Sequence, residues 1–185
     1  MWKVKRSKVH GNGVFARQNI KKGQRVIEYI GEKITKKEGD RRSGNRIKKY
    51  LKSNRTGSVY IFELNKKYDI DGFFSYNKAR YINHSCNPNC EVEISNDQIW
   101  ISSIKRIKKG EELSYDYGYT FDKNDYKDHE CKCGSKYCIG YIISSDDWEK
   151  FLKHIKKNII KLKKLFHSSF FLILIYKPDP ILLDN

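Results

Sequence analysis

The chain lacks an apolar leader, a long apolar run, an internal repeat and any density of cysteine. Met1-Trp2-Lys3-Val4-Lys5-Arg6 runs straight into polar sequence, with no apolar core of the kind a secretory signal needs. The longest apolar stretch, Leu165 to Tyr176, is a dozen residues, too short to span a bilayer as a helix. Lys177-Pro178-Asp179-Pro180 stops it. There are five cysteines, an odd number. Without a signal, that count argues for a reducing, intracellular setting and against a disulfide framework. Acidic residues are scarce beside basic ones, 22 against 38, for a formal net charge of +16.

What is present indicates a folded chain. Its 185 residues suit one domain plus an appendage and can bury an ordinary core. Ile, Tyr and Phe are too frequent for a disordered composition. Charge is uneven. Lys and Arg crowd the first sixty residues and Lys150 to Lys164. Most such lysines are solvated surface, but the excess also forms an electrostatic footprint for nucleic acid or chromatin. Residues 111 to 130 form an acidic island containing Glu111, Glu112, Asp116, Asp122, Asp125, Asp128 and Glu130. It suits a basic peptide.

The hydrophobic pattern predicts a mostly β (α+β) domain. Strands are expected over Trp2 to Lys8, Arg25 to Ile30, Val59 to Leu64, Tyr68 to Ile70 and Glu112 to Tyr117. Cys90 to Ile94 and Gln98 to Ser103 alternate on either side of Asn96-Asp97, which signals a hairpin. Gly11-Asn12-Gly13 and Asn19 to Gly23 are turns, and Asn77 to Ile82 fits one helical turn. Residues 33 to 57 are polar and basic, with helical stretches and a loop containing Gly and Asn.

From Trp148 the pattern changes. Trp148, Phe151, Leu152, Ile155, Ile159, Leu162 and Phe166 have the spacing of an amphipathic helix. Asp146 as N-cap with Glu149 three residues on would start it. The helix could pack on its own domain, a partner or a membrane surface. The apolar tail after it is a packed element or, flanked by lysines, a peripheral membrane contact.

Three constellations carry candidate chemistry. Cys131, Cys133 and Cys138 lie within eight residues and offer three thiolates to one ion. A closed tetrahedral zinc site needs a fourth, from Cys86 or Cys90. Gly11-Asn12-Gly13-Val14-Phe15-Ala16 formally fits a dinucleotide-binding pattern, but no helix of useful length follows, so that reading fails. The glycines still permit close backbone approach to a ligand. Tyr60, Tyr115 and Tyr117 fall on expected strands, and Tyr115 and Tyr117 share a face if theirs is regular. Taken alone, a tyrosine in a strand is more often an ordinary core residue with its hydroxyl satisfied.

The motifs appear in an order that resembles a known family. They are Gly11-x-Gly13-Val14-Phe15-Ala16, Glu28-Tyr29-Ile30-Gly31-Glu32, Tyr60-x-Phe62, Ala79-Arg80-Tyr81-Ile82-Asn83-His84-Ser85-Cys86-x-Pro88-Asn89-Cys90, Gly110-Glu111-Glu112-Leu113-Ser114-Tyr115-Asp116-Tyr117 and the late cysteines. Together they resemble the SET-domain protein-lysine methyltransferases of the trithorax-like kind, with a zinc-binding post-SET segment. The resemblance covers about residues 3 to 140. It implies small β-sheets with a pseudoknot, arranged as a SET catalytic domain (1–118), a post-SET zinc segment (119–140) and a C-terminal helix and tail (141–185).

The resemblance also implies an activity: transfer of a methyl group from S-adenosylmethionine to a lysine of a basic protein, with a histone tail as the natural substrate. His10, Gly11, Asn12 and Gly13 would contact the methyl donor, and Asn83 and His84 would hold its amino-acid and adenine parts. Tyr117 would be the catalytic tyrosine, and Tyr60 would line the lysine channel. Cys86 would join Cys131, Cys133 and Cys138 on zinc, leaving Cys90 free. Tyr115 stands where the family carries Tyr or Phe, and tyrosine there favours adding a single methyl.

Two departures accompany the match. No cysteine-rich segment precedes the motifs, and the insert at 33 to 57, which helps form the substrate groove, is unusually basic. The alternative is a catalytically weak SET-like module that binds chromatin or nucleic acid through its basic surface. The implied location is the nucleus if the source is eukaryotic. In a bacterium it would be an exported effector acting on a host, or an enzyme for the cell's own basic proteins.

Overall fold

Asn96 and Asp97 both adopt left-handed backbone, with φ of 51° and 58°, the conformation a two-residue hairpin turn requires. They join Cys90–Ser95 and Gln98–Ser103 in antiparallel register, Ser95 opposite Gln98 and Cys90 opposite Ser103. This computed structural model describes residues 1–52 and 59–165. In chain order the strands are β1 (Trp2–Arg6), β2 (Asn12–Ala16), β3 (Arg25–Tyr29), β4 (Glu32–Thr35), β5 (Ile61–Glu63), β6 (Tyr68–Asp71), β7 (Asn83–His84), β8 and β9 (the hairpin) and β10 (Ser114–Tyr115). The helices are α1 (Lys36–Lys52) and α2 (Trp148–Leu165), and 3-10 turns span Lys78–Tyr81, Tyr126–Asp128 and Ser145–Asp147. Small antiparallel sheets with two long helices are the SET-type architecture the motifs imply.

The chain divides into two compact units. One comprises Met1–Asn83 with Asn89–Tyr115, and the other His84–Pro88 with the chain from Asp116 onward. The first unit holds three sheets, β1-β2, β3-β9-β8 and β4-β6-β5. Its core is aliphatic: Val14, Ile20, Ile82, Ile101, Ile107 and Leu113 are almost fully buried.

Two expectations change here. Lys33 to Thr35 belongs to β4, paired with β6, although Ile34 is its only buried residue. One apolar side chain gives no periodicity to read. The expected Gly/Asn loop is not at Gly39, Gly44 or Asn45, through which α1 runs; Asn54 and Gly57 lie outside the described residues. Glycine weakens a helix interior, so α1 needs an anchor, and Asp71 supplies it. Arg42 Nη1 donates to its carboxylate at 2.8 Å, and Arg46 donates through Nη1 and Nη2 at 2.8 and 2.7 Å. Lys36 Nζ adds a bond to Asp69 at 2.6 Å. Gly39 is required by close approach, because a Cβ there would overlap the Asp69 carboxylate.

The second unit has an aromatic core. Phe121, Tyr126, Ile143 and Phe151 are buried, with Ile139, Tyr141, Trp148, Leu152 and Ile155 packed against them. Trp148, Phe151, Leu152 and Ile155 of the apolar face of α2 therefore pack within their own unit. Asp146 is not its N-cap. Ser144 accepts from the Asp146 amide at 3.4 Å and opens a 3-10 turn, Ser145–Asp147, that leads into α2. Asp147 accepts from the Phe121 amide at 2.7 Å and ties the helix start to the core. Among the described residues no helix is long and apolar enough to cross a membrane. Phe166 and the apolar tail lie outside the described residues.

Burial pushes the Asp71 carboxyl up, but the bonds from Arg46 and Arg42 pull it further down, and the net shift is downward. A depressed folded value means stability that is present above the ordinary carboxylate pKa, about 3.9, and lost as pH falls through the folded value. Asp71→Asn should cost about 3–5 kcal/mol, because it removes a buried carboxylate and leaves Arg46 without its carboxylate partner, while Arg42 keeps Glu32 and Glu38. Urea unfolding should show this loss, together with a weaker acid dependence than the parent below about pH 4. A variant as stable as the parent would mean that Asp71 does not anchor α1.

Candidate functional site: a buried amide network, a strained tyrosine and a cysteine cluster

In the first unit the Gly-x-Gly turn closes on the side chain of Asn83. Asn83 Nδ2 donates to the carbonyls of His10 (3.3 Å) and Asn12 (3.1 Å) and to Glu112 Oε1 (2.8 Å). Ser7 Oγ donates to Glu112 Oε2 at 2.9 Å. Gly11 has φ +50°, so a larger residue would be strained there. A Cβ on Gly13 would overlap the Glu112 carboxylate, so a side chain there would displace Glu112 from this network. His10, Gly11, Asn12, Gly13 and Asn83 are thus brought together, His10 and Asn12 through their backbone. Glu112 is the member that sequence reasoning missed. It lies inside a recognised motif, but nothing in its spacing announces a partner 29 residues away.

Tyr60 holds the most informative backbone in the unit. Its φ is +58°, a region tyrosine enters at a cost of about 1–3 kcal/mol. Tyr29 Oη (2.9 Å) and the Gly72 amide (2.8 Å) both donate to its carbonyl. The Arg80 guanidinium lies over its ring, 4.1 Å from the centroid, and is fixed by donation to the Phe73 carbonyl. Tyr29 and Phe62 rings meet at 5.0 Å, and Phe62 and Tyr115 at 6.1 Å. Tyr115 is buried. Tyr29, Phe62 and Tyr115 therefore form an aromatic wall in the first unit. Arg80, also missed, appears in the motif only as one more basic residue.

β10 stops at Tyr115, so Tyr115 and Tyr117 do not share a strand face. Tyr117 belongs to the second unit. Its amide donates to His84 Nδ1 at 3.2 Å, and its ring stands edge-on to the imidazole at 5.4 Å. His84 Nε2 lies 3.6 Å from Cys86 Sγ. Because Nδ1 accepts from the amide, Nε2 carries the proton and points at sulfur. Both ring nitrogens of His84 are engaged, so a ligand could reach this residue only through its backbone or its ring face.

The four cysteines gather. Cys86, Cys131, Cys133 and Cys138 have sulfurs all within 4.8 Å of one another. Cys86 lies 3.8 Å from Cys131 and 4.0 Å from Cys138. Metal–sulfur bonds of about 2.3 Å in a tetrahedron give sulfur–sulfur edges of about 3.8 Å. The donor set and its spacing fit zinc. Cys86, not Cys90, is the fourth member. The Cys131 thiol pulls Cys86 down to about 4, against burial and with help from His84. Burial pushes Cys138 up to about 11, and hydrogen bonding to Cys86 together with burial pushes Cys131 up. Protein groups alone favour one thiolate among these three, so full deprotonation calls for a cation.

A family profile for the SET domain matches residues 11–118. The chain belongs to the SET-domain family. The chain is 41% identical over 137 residues, 72% of its length, to the human protein named Histone-lysine N-methyltransferase 2D, of which the match covers 2%. It is equally similar over the same span to Histone-lysine N-methyltransferase trr of Drosophila melanogaster, of which it covers 5%. It is 36% identical over 141 residues to Histone-lysine N-methyltransferase, H3 lysine-4 specific, of Aspergillus oryzae, 74% of this chain and 11% of that protein. The chain thus spans a small part of the length of these relatives.

Cys90 stands apart in β8, where burial raises its thiol to about 12. It should resist alkylation by iodoacetamide at pH 8 in the folded protein and react once the protein is unfolded in urea. Peptide mass mapping reads this directly, and rapid native labelling at Cys90 would contradict its placement.

Proposed function

We propose that the protein is an S-adenosylmethionine-dependent protein-lysine N-methyltransferase that adds mainly one methyl group to a lysine of a basic protein, a histone tail first among them. Two of the relatives' names give histone lysine as the acceptor without further detail, and one specifies H3 lysine 4. The observation that carries the reading is Tyr60. A left-handed position is free to glycine and mild for asparagine. A fold needing only the backbone would place one of those there. A tyrosine held at φ +58° by two hydrogen bonds and an overlying guanidinium indicates that its side chain is what is required.

The acceptor amine must lose a proton before it can attack, and a free lysine holds that proton with a pKa of about 10.4. Burial among aromatic rings disfavours the ammonium, and so does a nearby cation. Tyr29, Phe62 and Tyr115 would supply the burial, and Arg80 against the Tyr60 ring would supply the like charge. His10, Gly11, Asn12, Gly13 and Asn83 would bind the methyl donor, with His84 contributing through its backbone. S-adenosylmethionine would supply the activated methyl group. By its place in the motif Tyr117 would be the catalytic tyrosine, with its backbone N–H donating to His84 Nδ1. Cys86, Cys131, Cys133 and Cys138 would hold a structural zinc ion.

Incubation with labelled methyl donor and histone H3 or other basic proteins should give transfer to lysine. Tyr117→Phe should lower the rate by about 10²-fold or more, in the range of a lost positioning and proton-handling group. Tyr115→Phe should keep activity and shift the products toward di- and trimethyl-lysine. Full incorporation by the Tyr117 variant would remove that residue from the chemistry. Absence of transfer to any lysine, with donor binding intact, would leave the protein as a binding module.

Elemental analysis should find about one zinc per chain. A strong chelator should lower the melting temperature, and added zinc should restore it. Cys131→Ser should have the low melting temperature without chelator. A chelator-insensitive, zinc-free protein of unchanged melting temperature would overturn the metal assignment.

A further inference from the structure

The first unit contains the same four residues twice. Ile20-Lys21-Lys22-Gly23 and Ile107-Lys108-Lys109-Gly110 are too short a match to register as a sequence repeat, but the fold puts them side by side. Ile20 and Ile107 form an antiparallel bridge, with amide-to-carbonyl distances of 2.8 and 3.0 Å. Both isoleucines are almost completely buried. Each turn ends in a glycine with positive φ, 76° at Gly23 and 93° at Gly110. Further bonds fix the backbones: Gly23 N–H to the Ser103 carbonyl (2.7 Å), Gly110 N–H to the Ala16 carbonyl (2.8 Å) and Lys109 N–H to Asn19 Oδ1 (2.9 Å).

The side chains that leave this paired turn are cations. Lys21, Lys22, Lys108 and Lys109 are exposed, and so are the flanking Arg17 and Arg106. Among the described residues none of these six forms an ion pair with a carboxylate. By contrast, Lys150 and Lys153 on α2 pair with Asp147 and Glu149, and Arg42 and Arg46 are committed to Asp71. The carboxylate on the turns themselves, Glu111, accepts the Lys108 amide at 2.9 Å.

We propose that the paired Ile-Lys-Lys-Gly turns form a docking surface for the phosphate backbone of double-stranded DNA. Two adjacent strands lie about 5 Å apart, so the four lysines start from one small rigid patch. Such a patch suits a linear polyanion that carries a charge about every 1.7 Å. A bilayer surface would call for apolar side chains that insert, and among the described residues on these turns and their hydrogen-bonded neighbours the one large exposed apolar residue is Met1, whose carbonyl accepts from the Arg17 amide. A single strand would call for aromatic rings on which bases stack, and neither turn bears one. The inference does not depend on the methyl-transfer reading.

The test is fluorescence anisotropy of the full chain with a labelled duplex of about 20 base pairs across a salt series. Substituting Lys21, Lys22, Lys108 and Lys109 by Gln should weaken binding by more than about tenfold at 0.1 M salt. It should also reduce the slope of log affinity against log salt by about 3–4. Arginine at the same four positions should retain parental binding, which shows that charge is what matters. Removing the same number of charges from α2, at Lys150, Lys153, Lys156 and Lys157, should change affinity by less than about threefold. Equal losses in the two glutamine variants would mean generic attraction and would overturn the proposal. Binding to vesicles containing phosphatidylserine but not to the duplex would overturn it as well.

Discussion

Four sulfurs drawn within 4.8 Å of one another are the constraint on which the second unit depends. Cys131, Cys133 and Cys138 lie within eight residues, so one local turn can bring them together. Cys86 lies 45 residues before the first of them. Its recruitment brings His84–Pro88 into the same compact unit as the chain from Asp116 onward. Once Cys86 is placed, His84 follows two residues earlier, with Nε2 at sulfur and Nδ1 at the Tyr117 amide. The thiolates thus position a tyrosine without touching it. An unsupported cluster of thiolates would be unfavourable, since each thiolate opposes the ionisation of its neighbours, as Cys86 does that of Cys131. A dication changes that balance, which is why thiolate-rich sites of this kind couple folding to metal.

Legibility in the sequence followed the locality of the physics. The Asn96-Asp97 hairpin is a contact between neighbours, and its turn residues give it away. The 3-10 turn at Lys78–Tyr81 and the amphipathic α2 were readable for the same reason. β4 was not, because backbone pairing with β6 maintains it and only Ile34 is buried. Nor was α1 continuous by propensity: Gly39 and Gly44 argue against it, and the arginines on one face reach a carboxylate 25 and 29 residues away. At the candidate site, the motif order picked out Asn83, the Gly-x-Gly turn and the cysteines. Glu112 and Arg80 escaped because their partners are set by tertiary structure. Asp146 looked like a cap by spacing, but Ser144 does the capping.

The charge excess resolves into several populations that composition cannot distinguish. Some cations are internal fasteners, as Arg42 and Arg46 are for Asp71. Arg80 lies over rings. Others pair locally on the surface, where each contributes little. The acidic island divides similarly. Glu111, Glu112, Asp116 and Asp122 accept hydrogen bonds from nearby groups, so part of what looked like attraction for a basic peptide is spent holding loops. The net of +16 therefore gives less information than the question of which cations remain unpaired.

Strain and burial place the specialised residues on one logic. Tyr60 occupies a backbone region that its side chain disfavours, and the cost is met by contacts from Tyr29, Gly72 and Arg80. A Cβ on Gly72 would overlap the Tyr29 ring and the Asn77 amide. The glycine is therefore as necessary to the tyrosine's conformation as the hydrogen bonds are. Gly13 is tied to Glu112 in the same way, and Gly31 to the Asp71 carbonyl. In each case a missing side chain lets a polar or aromatic group approach the backbone. Conformational freedom at Gly11, and close packing at Gly13, Gly31 and Gly72, are separate uses of one residue type, and the fold needs both around its candidate site.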